Sequence, residues 1–476
     1  MIFNSFQFIW LFPIIFIIYW AVYRFGQGKG LKLPQYTLLF ISYCLYLQWN
    51  PVYGLILFYV TFVTFFSAKL IYNRDRDKLN GRKLIIYIGA ILALGPLLIF
   101  KYYNFITDAG ASALQYIGID AAPAGLNWVV PLGLSFYTFQ ALGYLWDVYY
   151  RKIEPERNFG NYMLFVAFFP QILCGPISKA SDLLPQIAKP KEFDYNRAVG
   201  GLRLILWGLF LKVVLADRLG IYVDTVYQNF EHYSGTTCLL SAIFYSFQIY
   251  GDFAGYSYMA LGVAKLLGFE LIYNFNRPYF ATSVSQFWKR WNISLTKWLT
   301  SYIYIPLGGS RKGKFRTYLN IMITFLVSGI WHGANYTFIF WGVIHGAAQC
   351  IEKFFGWNKE SITRWYTIPR MILTFVIVTI AWIYFRMPSI EGGSMVIKKI
   401  FTNVGSIFVD SETLIYSFFA LFILIPVECF LEYKNQSFKQ FILSKRIISW
   451  GCYIGLTLVI LLFGVLNSSQ FIYVNF

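Results

Sequence analysis

Ser328-Gly-Ile-Trp-His-Gly-Ala-Asn-Tyr-Thr-Phe-Ile-Phe-Trp-Gly-Val-Ile-His-Gly346 holds two of the chain's three histidines, His332 and His345, within a longer apolar stretch from 317 to 351. Basic residues flank that stretch on both sides, Arg311 to Arg316 before it and Lys353 to Arg370 after it. Short loops rich in Lys and Arg stay on the cytoplasmic face of a bilayer, so the stretch crosses an even number of times. A hairpin turning near Gly333, Ala334 and Asn335 leaves about 15 residues per arm. At about 1.5 Å per residue each arm reaches roughly 22 Å into a hydrocarbon core of roughly 30 Å. His332 then sits at an apex inside the membrane, reachable from the cytoplasm. A titratable ring in hydrocarbon needs partners or a cavity, which makes it a functional candidate. The competing reading is a packing histidine bonded to a neighbouring carbonyl. That reading suits His345, along the second arm, better than His332, which has Gly329 and Gly333 on either side.

Composition agrees with this reading over the whole chain. Of 476 residues, 58% are hydrophobic, 21% aromatic and only 13% charged. Apolar runs of about 17 to 22 residues recur from end to end, the length of a membrane-crossing helix, and no intervening loop is long enough for a separate globular domain. Barrel strands would give short alternating segments instead. The expected fold class is therefore all-α, a polytopic membrane protein of about 11 to 12 transmembrane helices in one membrane domain, 1-476. Within it, 1-127 supplies N-terminal spans, 128-351 the catalytic core and 352-476 the C-terminal spans. The net charge of +18 lies in short loops, where it reports orientation and calls for no nucleic acid partner. Six scattered cysteines show no CxxC or other metal spacing and resemble small buried apolar residues, so no metal is expected. No Lys or Arg precedes Arg24, so the first span lacks the basic region of a cleavable signal.

The basic clusters order the topology. Arg24, Lys29 and Lys32, then Arg74, Arg76, Lys78, Arg82 and Lys83, belong in the cytoplasm, with Asn50-Pro51 turning outside between them. Residues 106 to 127 carry no basic residue and fall outside, and a span at about 128 to 147 returns to Arg151 and Lys152. The stretch 160-178 is apolar but interrupted by Pro170 and Pro176. It is expected to be re-entrant, with its broken backbone surrounded by protein. Spans at about 199 to 216 and 238 to 264 follow, separated by an outside loop with Asp224 and Glu231. Residues 271 to 316 hold eight basic residues and no acid, a cytoplasmic signature. Within them, Ser283 and Gln286 have capping-box spacing, and Trp288, Trp291, Leu295 and Trp298 share one face. This predicts a single amphipathic helix, 283-298, at the inner leaflet. Spans at about 367 to 386, 414 to 432 and 447 to 466 complete the scheme and leave both termini extracytoplasmic.

Certain of these residues can do chemistry together. A neutral imidazole in a dry cavity can take the proton of a hydroxyl that attacks a carbonyl, and acyl transfer also needs a donor for the developing oxyanion. Asn292, Asn335 and the tyrosines of Gln248-Ile-Tyr-Gly-Asp-Phe-Ala-Gly-Tyr-Ser-Tyr258, among them Tyr250 and Tyr256, are candidate donors. Asp252 in the same motif sits mid-span and is expected to bond a tyrosine, Arg290 or a histidine. The alternative for Asp252 is a purely structural buried network. Asp147 and Lys212 lie near enough to span ends to snorkel.

Seven segments, taken in order, resemble one family: Phe139-Gln-Ala-Leu-Gly-Tyr144, Phe168-Phe-Pro-Gln-Ile-Leu-Cys-Gly-Pro-Ile-Ser178, Tyr250-Gly-Asp-Phe-Ala-Gly-Tyr-Ser257, Asn274-Phe-Asn-Arg-Pro-Tyr279, Phe287-Trp-Lys-Arg-Trp-Asn-Ile-Ser-Leu295, Tyr304-Ile-Pro-Leu-Gly-Gly309 and Ser328-Gly-Ile-Trp-His-Gly-Ala334. They are similar to the membrane-bound O-acyltransferase (MBOAT) family, in the branch that O-acetylates alginate, peptidoglycan and related polysaccharides. The resemblance implies a helical funnel that accepts an acyl thioester, acetyl-CoA, as donor substrate from the cytoplasm, with no tightly bound cofactor. It implies His332 as the catalytic histidine, with Gln171 and Trp331 of the matching motifs as supporting residues. Lys289, Arg290, Arg311 and Lys312 could meet the CoA phosphates, or simply be positive-inside charge. The acyl group would pass to an SGNH-hydrolase-type partner outside, or to the polymer itself. Relatives in this branch read Trp-His-Ile-Ser where this chain has Trp291-Asn292-Ile293-Ser294, and Gly-Tyr-Ser-Asp where it has Gly255-Tyr256-Ser257-Tyr258. Asn292 cannot carry a proton but can polarise a carbonyl, and lipid-acylating members are similar in having Asn near this point.

The function expected is O-acetylation of an extracytoplasmic polysaccharide from the bacterial cytoplasmic (inner) membrane. Its rival within the family is D-alanyl transfer to teichoic acid, which the chain length and the Phe168 to Pro176 motif argue against. A transporter or channel would also explain an intramembrane His and Asp. Paired halves or several in-membrane carboxylates would then be expected, and neither is visible in the sequence.

Overall fold

The computed structural model describes residues 3–26, 32–74, 79–120, 124–357, 367–433 and 445–466. Helices and turns account for these residues, with no β-strand among them, so the protein is an all-α, multi-pass membrane protein. Lys29, Arg76, Lys78 and the ends of the chain, used above for orientation, lie outside the described residues. Six helical rods are long and apolar enough to cross a membrane: Phe6–Gly26, Pro51–Tyr72, Asn80–Tyr116, Tyr195–Gln228, Thr367–Arg386 and Ser411–Tyr433. Two compact units are present, Met1–Gly201 with Ala260–Ile272, and Leu202–Met259 with Tyr273–Phe476.

The first unit contains α1 (Phe6–Gly26), α2 (Leu33–Leu47), α3 (Pro51–Tyr72), α4 (Leu79–Leu97), α5 (Tyr103–Tyr116), α6 (Leu134–Tyr149), α7 (Phe159–Ala167) and α8 (Ala180–Ala188). The turn expected at Asn50-Pro51 is present: Asn50 Oδ1 accepts from Val52 N at 2.9 Å and proline occupies the first helical turn of α3, where its missing N–H costs nothing. A π-helical segment, Leu98–Tyr102, joins α4 to α5, so the helix continues to Tyr116, well into the 106-to-127 segment. The α6 helix is buried on nearly every face.

The stretch 160-178 begins as α7 and leaves helical geometry at Phe168, ahead of Pro170, as a proline requires. Its polar groups are met by protein. Gln140 Nε2 donates to Phe165 O at 2.5 Å, while Gln140 Oε1 accepts from Ser178 N at 3.2 Å and from Gln171 Nε2 at 2.9 Å. Ser178 Oγ donates to Gln171 Oε1 at 2.9 Å. Gly133 opens α6 at φ +73° and leaves no room for a Cβ beside the Ile172 carbonyl, so loop and helix backbones touch.

Within α9 (Tyr195–Leu209) the chain passes into the second unit, and a π-helical segment, Phe210–Ala216, leads into α10 (Asp217–Gln228). Asp224, expected in an outside loop, is part of α10 and pairs with Arg386 at 2.8 Å; only Glu231 lies in the short turn that follows. Then come α11 (Gly235–Leu266), α12 (Val284–Arg290) and α13 (Ile293–Leu299). The single amphipathic helix expected over 283-298 is two helices, broken at Trp291 and Asn292, because Asn292 adopts φ +40°. The shared face of Trp288, Trp291, Leu295 and Trp298 is buried, while Lys289 and Lys297 are exposed. The cap forms nonetheless: Ser283 Oγ accepts from Gln286 N at 3.0 Å. The remaining helices are α14 (Lys314–His332), α15 (Tyr336–Phe354), α16 (Thr367–Arg386), α17 (Ile390–Thr402), α18 (Ser411–Tyr433) and α19 (Arg446–Phe463). The short α17, with Gly392 and Gly393 near its start, had no counterpart in the sequence reading.

Candidate active site

The hairpin expected from the flanking charges is α14 followed by α15, turning at Gly333 to Asn335. Glycines let its arms approach closely. A Cβ on Gly342 would stand 2.5 Å from Phe325 O, one on Gly346 would stand 2.7 Å from Met322 Sδ, and one on Gly329 would overlap Phe338 O. The extra turn at the open end consists of Lys314-Phe-Arg316 and Glu352-Lys-Phe354, so the apolar arms keep the length read from the sequence. α14 ends on His332, and Gly333 is extended. Asn335 caps α15: its Oδ1 accepts from Thr337 N at 2.9 Å and its Nδ2 donates to Pro388 O at 2.9 Å. Both polar atoms of that amide thus have hydrogen-bond partners at the hairpin apex.

Aromatic rings enclose His332, which is buried. The rings of Trp331, Trp341 and Phe385 meet it edge-on at 4.9, 5.0 and 5.2 Å. Trp341 also stands 4.8 Å from His345, so one indole separates the two imidazoles. His345 is fully buried, parallel to Phe287 at 6.4 Å, and its Nδ1 accepts from Trp288 Nε1 at 3.3 Å. An indole N–H can only donate, so Nδ1 is the unprotonated nitrogen and the proton of a neutral ring is on Nε2. This contact ties the second arm of the hairpin to α12.

Asn292 lies in the left-handed turn between α12 and α13, 1% exposed, and neither atom of its amide has a hydrogen-bond partner among the described residues. Asn tolerates this backbone conformation better than most residues. The turn is tied down around it: Asn276 N donates to Arg290 O at 2.9 Å, Ile293 N to Asn274 O at 3.0 Å and Ser294 N to Asn274 Oδ1 at 3.1 Å. Next to Asn292, Trp291 packs on Trp382 at 5.1 Å, Phe287 at 5.4 Å and Tyr250 at 6.1 Å. A buried amide with no partner costs about 1 to 3 kcal/mol. A substrate carbonyl meeting it would remove that cost.

The other charged candidates have partners that the sequence did not reveal. Asp252 pairs with Lys212 at 2.7 Å, both buried, and Lys212 also pairs with the partly buried Asp217 at 2.8 Å. Lys212, which the sequence left near enough to a span end to snorkel, is thus a buried partner of Asp252. Tyr250 donates its hydroxyl to Glu428 Oε1. Arg290 bonds Glu432 at 2.9 Å, and Glu432 also holds Arg277 at 2.7 Å, so Arg290 is occupied by a carboxylate. Tyr256 is buried within α11. Gln171 belongs to the network of the first unit, with Gln140 and Ser178. Lys289, Arg311 and Lys312 are exposed, as a site for a soluble anion requires. Sequence reasoning passed over Trp341, Glu428 and Glu432, and the two acids four residues apart in the apolar α18 are carboxylates of the kind it had counted as absent from the spans.

Comparison with known proteins places the chain in a family. The model of MBOAT, the membrane-bound O-acyltransferase family, matches residues 150–390, a span that contains Asp252, Asn292, His332 and His345. The chain is 35% identical over 394 residues to the probable alginate O-acetylase AlgI of Pseudomonas syringae pv. tomato, covering 82% of this chain and 73% of that one. It is 30% identical over 429 residues to the peptidoglycan O-acetyltransferase of Helicobacter pylori, covering 84% and 79%. Identity to the teichoic acid D-alanyltransferase of Bacillus subtilis is 26% over 341 residues, covering 68% and 82%. With these matches and its all-α, multi-pass architecture, the chain belongs to the membrane-bound O-acyltransferase family and is an O-acyltransferase.

Proposed function

We propose that this enzyme moves an acetyl group from cytoplasmic acetyl-CoA to a hydroxyl of an extracytoplasmic polysaccharide, with His332 as general base and Asn292 as the carbonyl-polarising donor. The observation that carries this reading is the pair of groups on offer: an imidazole at the end of α14 walled by three aromatic rings, and an unspent buried amide at Asn292. His332 takes the proton of the acceptor hydroxyl as its oxygen attacks the thioester carbonyl. The C–S bond then breaks and the proton goes to the departing CoA sulfur, so no charge accumulates. Asn292 Nδ2 donates to the carbonyl oxygen while it carries negative charge, a role worth several kcal/mol in a dry site.

Lys289, Arg311 and Lys312 are placed by this reading at the CoA phosphates, while Arg290 stays with Glu432. Trp331 walls the base, His345 supports it from the far side of Trp341, and Asp252 with Lys212 fixes α11 against the preceding rod. The acyl group leaves on the outer face of the bacterial inner membrane, to an SGNH-hydrolase-type partner or directly to the polymer, and both termini lie on that face. The names of the nearer relatives, acetylases of alginate and peptidoglycan, favour acetyl over alanyl.

His332→Ala, expressed in the host at wild-type level, tests this. Mild alkali should release surface acetate from wild-type cells and none from the variant. Unchanged acetate in the variant overturns the assignment of the base, and alkali-labile D-alanine in place of acetate overturns the acyl group.

A further inference from the structure

Two acids on α18, Glu428 and Glu432, stand one helical turn apart, and both reach the turn that carries Asn292. Glu432 receives Arg277 Nε at 2.7 Å on one carboxylate oxygen and Arg290 Nη2 at 2.9 Å on the other. Arg290 Nη1 also donates to the Arg277 carbonyl at 3.3 Å, closing the bridge. Arg277 and Asn292 are two of the three non-glycine residues with positive φ among the described residues, at +45° and +40°. The ion pair therefore joins one left-handed residue to the position two before the other. Between them, the backbone bonds Asn276 N to Arg290 O and Ile293 N to Asn274 O hold the two segments side by side. Glu428 accepts from Tyr250, whose ring lies 6.1 Å from Trp291, the residue before Asn292. A left-handed conformation at a non-glycine residue costs free energy, and it persists where its surroundings fix it from several sides.

We infer that Glu432 is a positioning residue for the acyl-transfer step: by bridging Arg277 and Arg290 it fixes the left-handed turn that presents the Asn292 amide to the acyl carbonyl. The inference rests on the role proposed for Asn292. Glu432 lies outside the span 150–390 matched by the family model, and it touches no reacting atom. It acts at a distance on the angle and depth of one amide, and a displacement of about 1 Å at a reacting group can slow a reaction about 100-fold.

A double-mutant cycle on inside-out membrane vesicles from the host, assayed with radiolabelled acetyl-CoA and endogenous acceptor, tests it. Glu432→Gln should lower the saturated rate about 10- to 100-fold and leave the KM for acetyl-CoA within about threefold, with protein amount and thermal midpoint near wild type. Combined with Asn292→Ala it should slow the reaction no further than Asn292→Ala alone, because the residue through which it acts is gone. Losses that multiply in the double variant overturn the inference and leave the base assignment standing, as does a wild-type rate in Glu432→Gln. A wild-type rate in Asn292→Ala overturns the donor role and this inference together. Should Glu432→Gln fail to insert, Arg277→Lys breaks the bridge from its other end and must show the same absence of multiplication.

Discussion

The indole of Trp288 donates to Nδ1 of His345 across 3.3 Å, joining α12 to the second arm of the hairpin. Trp288→Phe keeps an aromatic ring but removes the donor and part of the buried ring, leaving a buried acceptor unmet. The expected cost is about 1 to 3 kcal/mol of stability, read as a lowered thermal midpoint in detergent. Acyl transfer per folded molecule should stay within a few-fold of wild type, since His332 is untouched. A large loss of rate with an unchanged midpoint would assign His345 to the chemistry itself.

Glu352, at the end of α15, accepts from Val284 N and from Ser285 N, the latter at 3.0 Å, and so caps α12 from another helix. Glu352→Ala leaves two N–H groups at a helix start without their acceptor. Both the midpoint and the transfer rate should fall, because α12 carries Trp288 and leads directly to Asn292. Glu352→Gln, which can still accept one bond, should lie between wild type and Glu352→Ala in both measurements.

Lys212 shares its charge between Asp217 and Asp252 in a buried cluster. Removing one partner of a buried ion pair costs about 3 to 5 kcal/mol, more than the pair's net contribution. Lys212→Met should therefore reduce the amount of monodisperse protein recovered from membranes. Adding Asp217→Asn and Asp252→Asn to the same chain should restore much of it, and failure of that rescue would point to a role for the charges beyond mutual neutralisation.

At Gly342 the opposite arm's Phe325 carbonyl lies 2.5 Å from the place a Cβ would occupy. Gly342→Val should force the arms apart at a cost of about 1 to 3 kcal/mol and displace His332 from its aromatic walls. Gly451→Ala on α19, with open space at its Cβ, is the control expected to leave midpoint and activity unchanged.

The hairpin was legible because its signals are local: apolar length, flanking charge, and glycines at the turn. His332 at the end of an arm, the break of 160-178 at its prolines, and the Ser283 cap follow from residues within a few positions of one another. The partners of buried charges were not legible. Lys212 and Asp252 are 40 positions apart, and Arg290 and Glu432 are 142 apart, so nothing in either neighbourhood names the other. Asn335 shows the same division, since its capping bond is local but its second partner, Pro388, is not. The break at Asn292 was missed because the apolar spacing of Trp288, Trp291 and Leu295 continues through it, and spacing does not reveal a single left-handed residue.

The π-helical segment from Phe210 to Ala216 also sets the phase of everything that follows it in the same rod. An α-helix turns by about 100° per residue, and a π-helical turn holds one residue more than an α-helical one, so rewinding this segment as ordinary α-helix with all its residues kept would swing α10 about its axis by roughly that angle. Asp217 would leave Lys212, and Asp224 would leave Arg386 on α16, so both ion pairs would break with every one of their side chains unaltered. One residue of helical slack thus acts as a rotational setting for α10, and rewinding it is equivalent to substituting the helix's whole inward face.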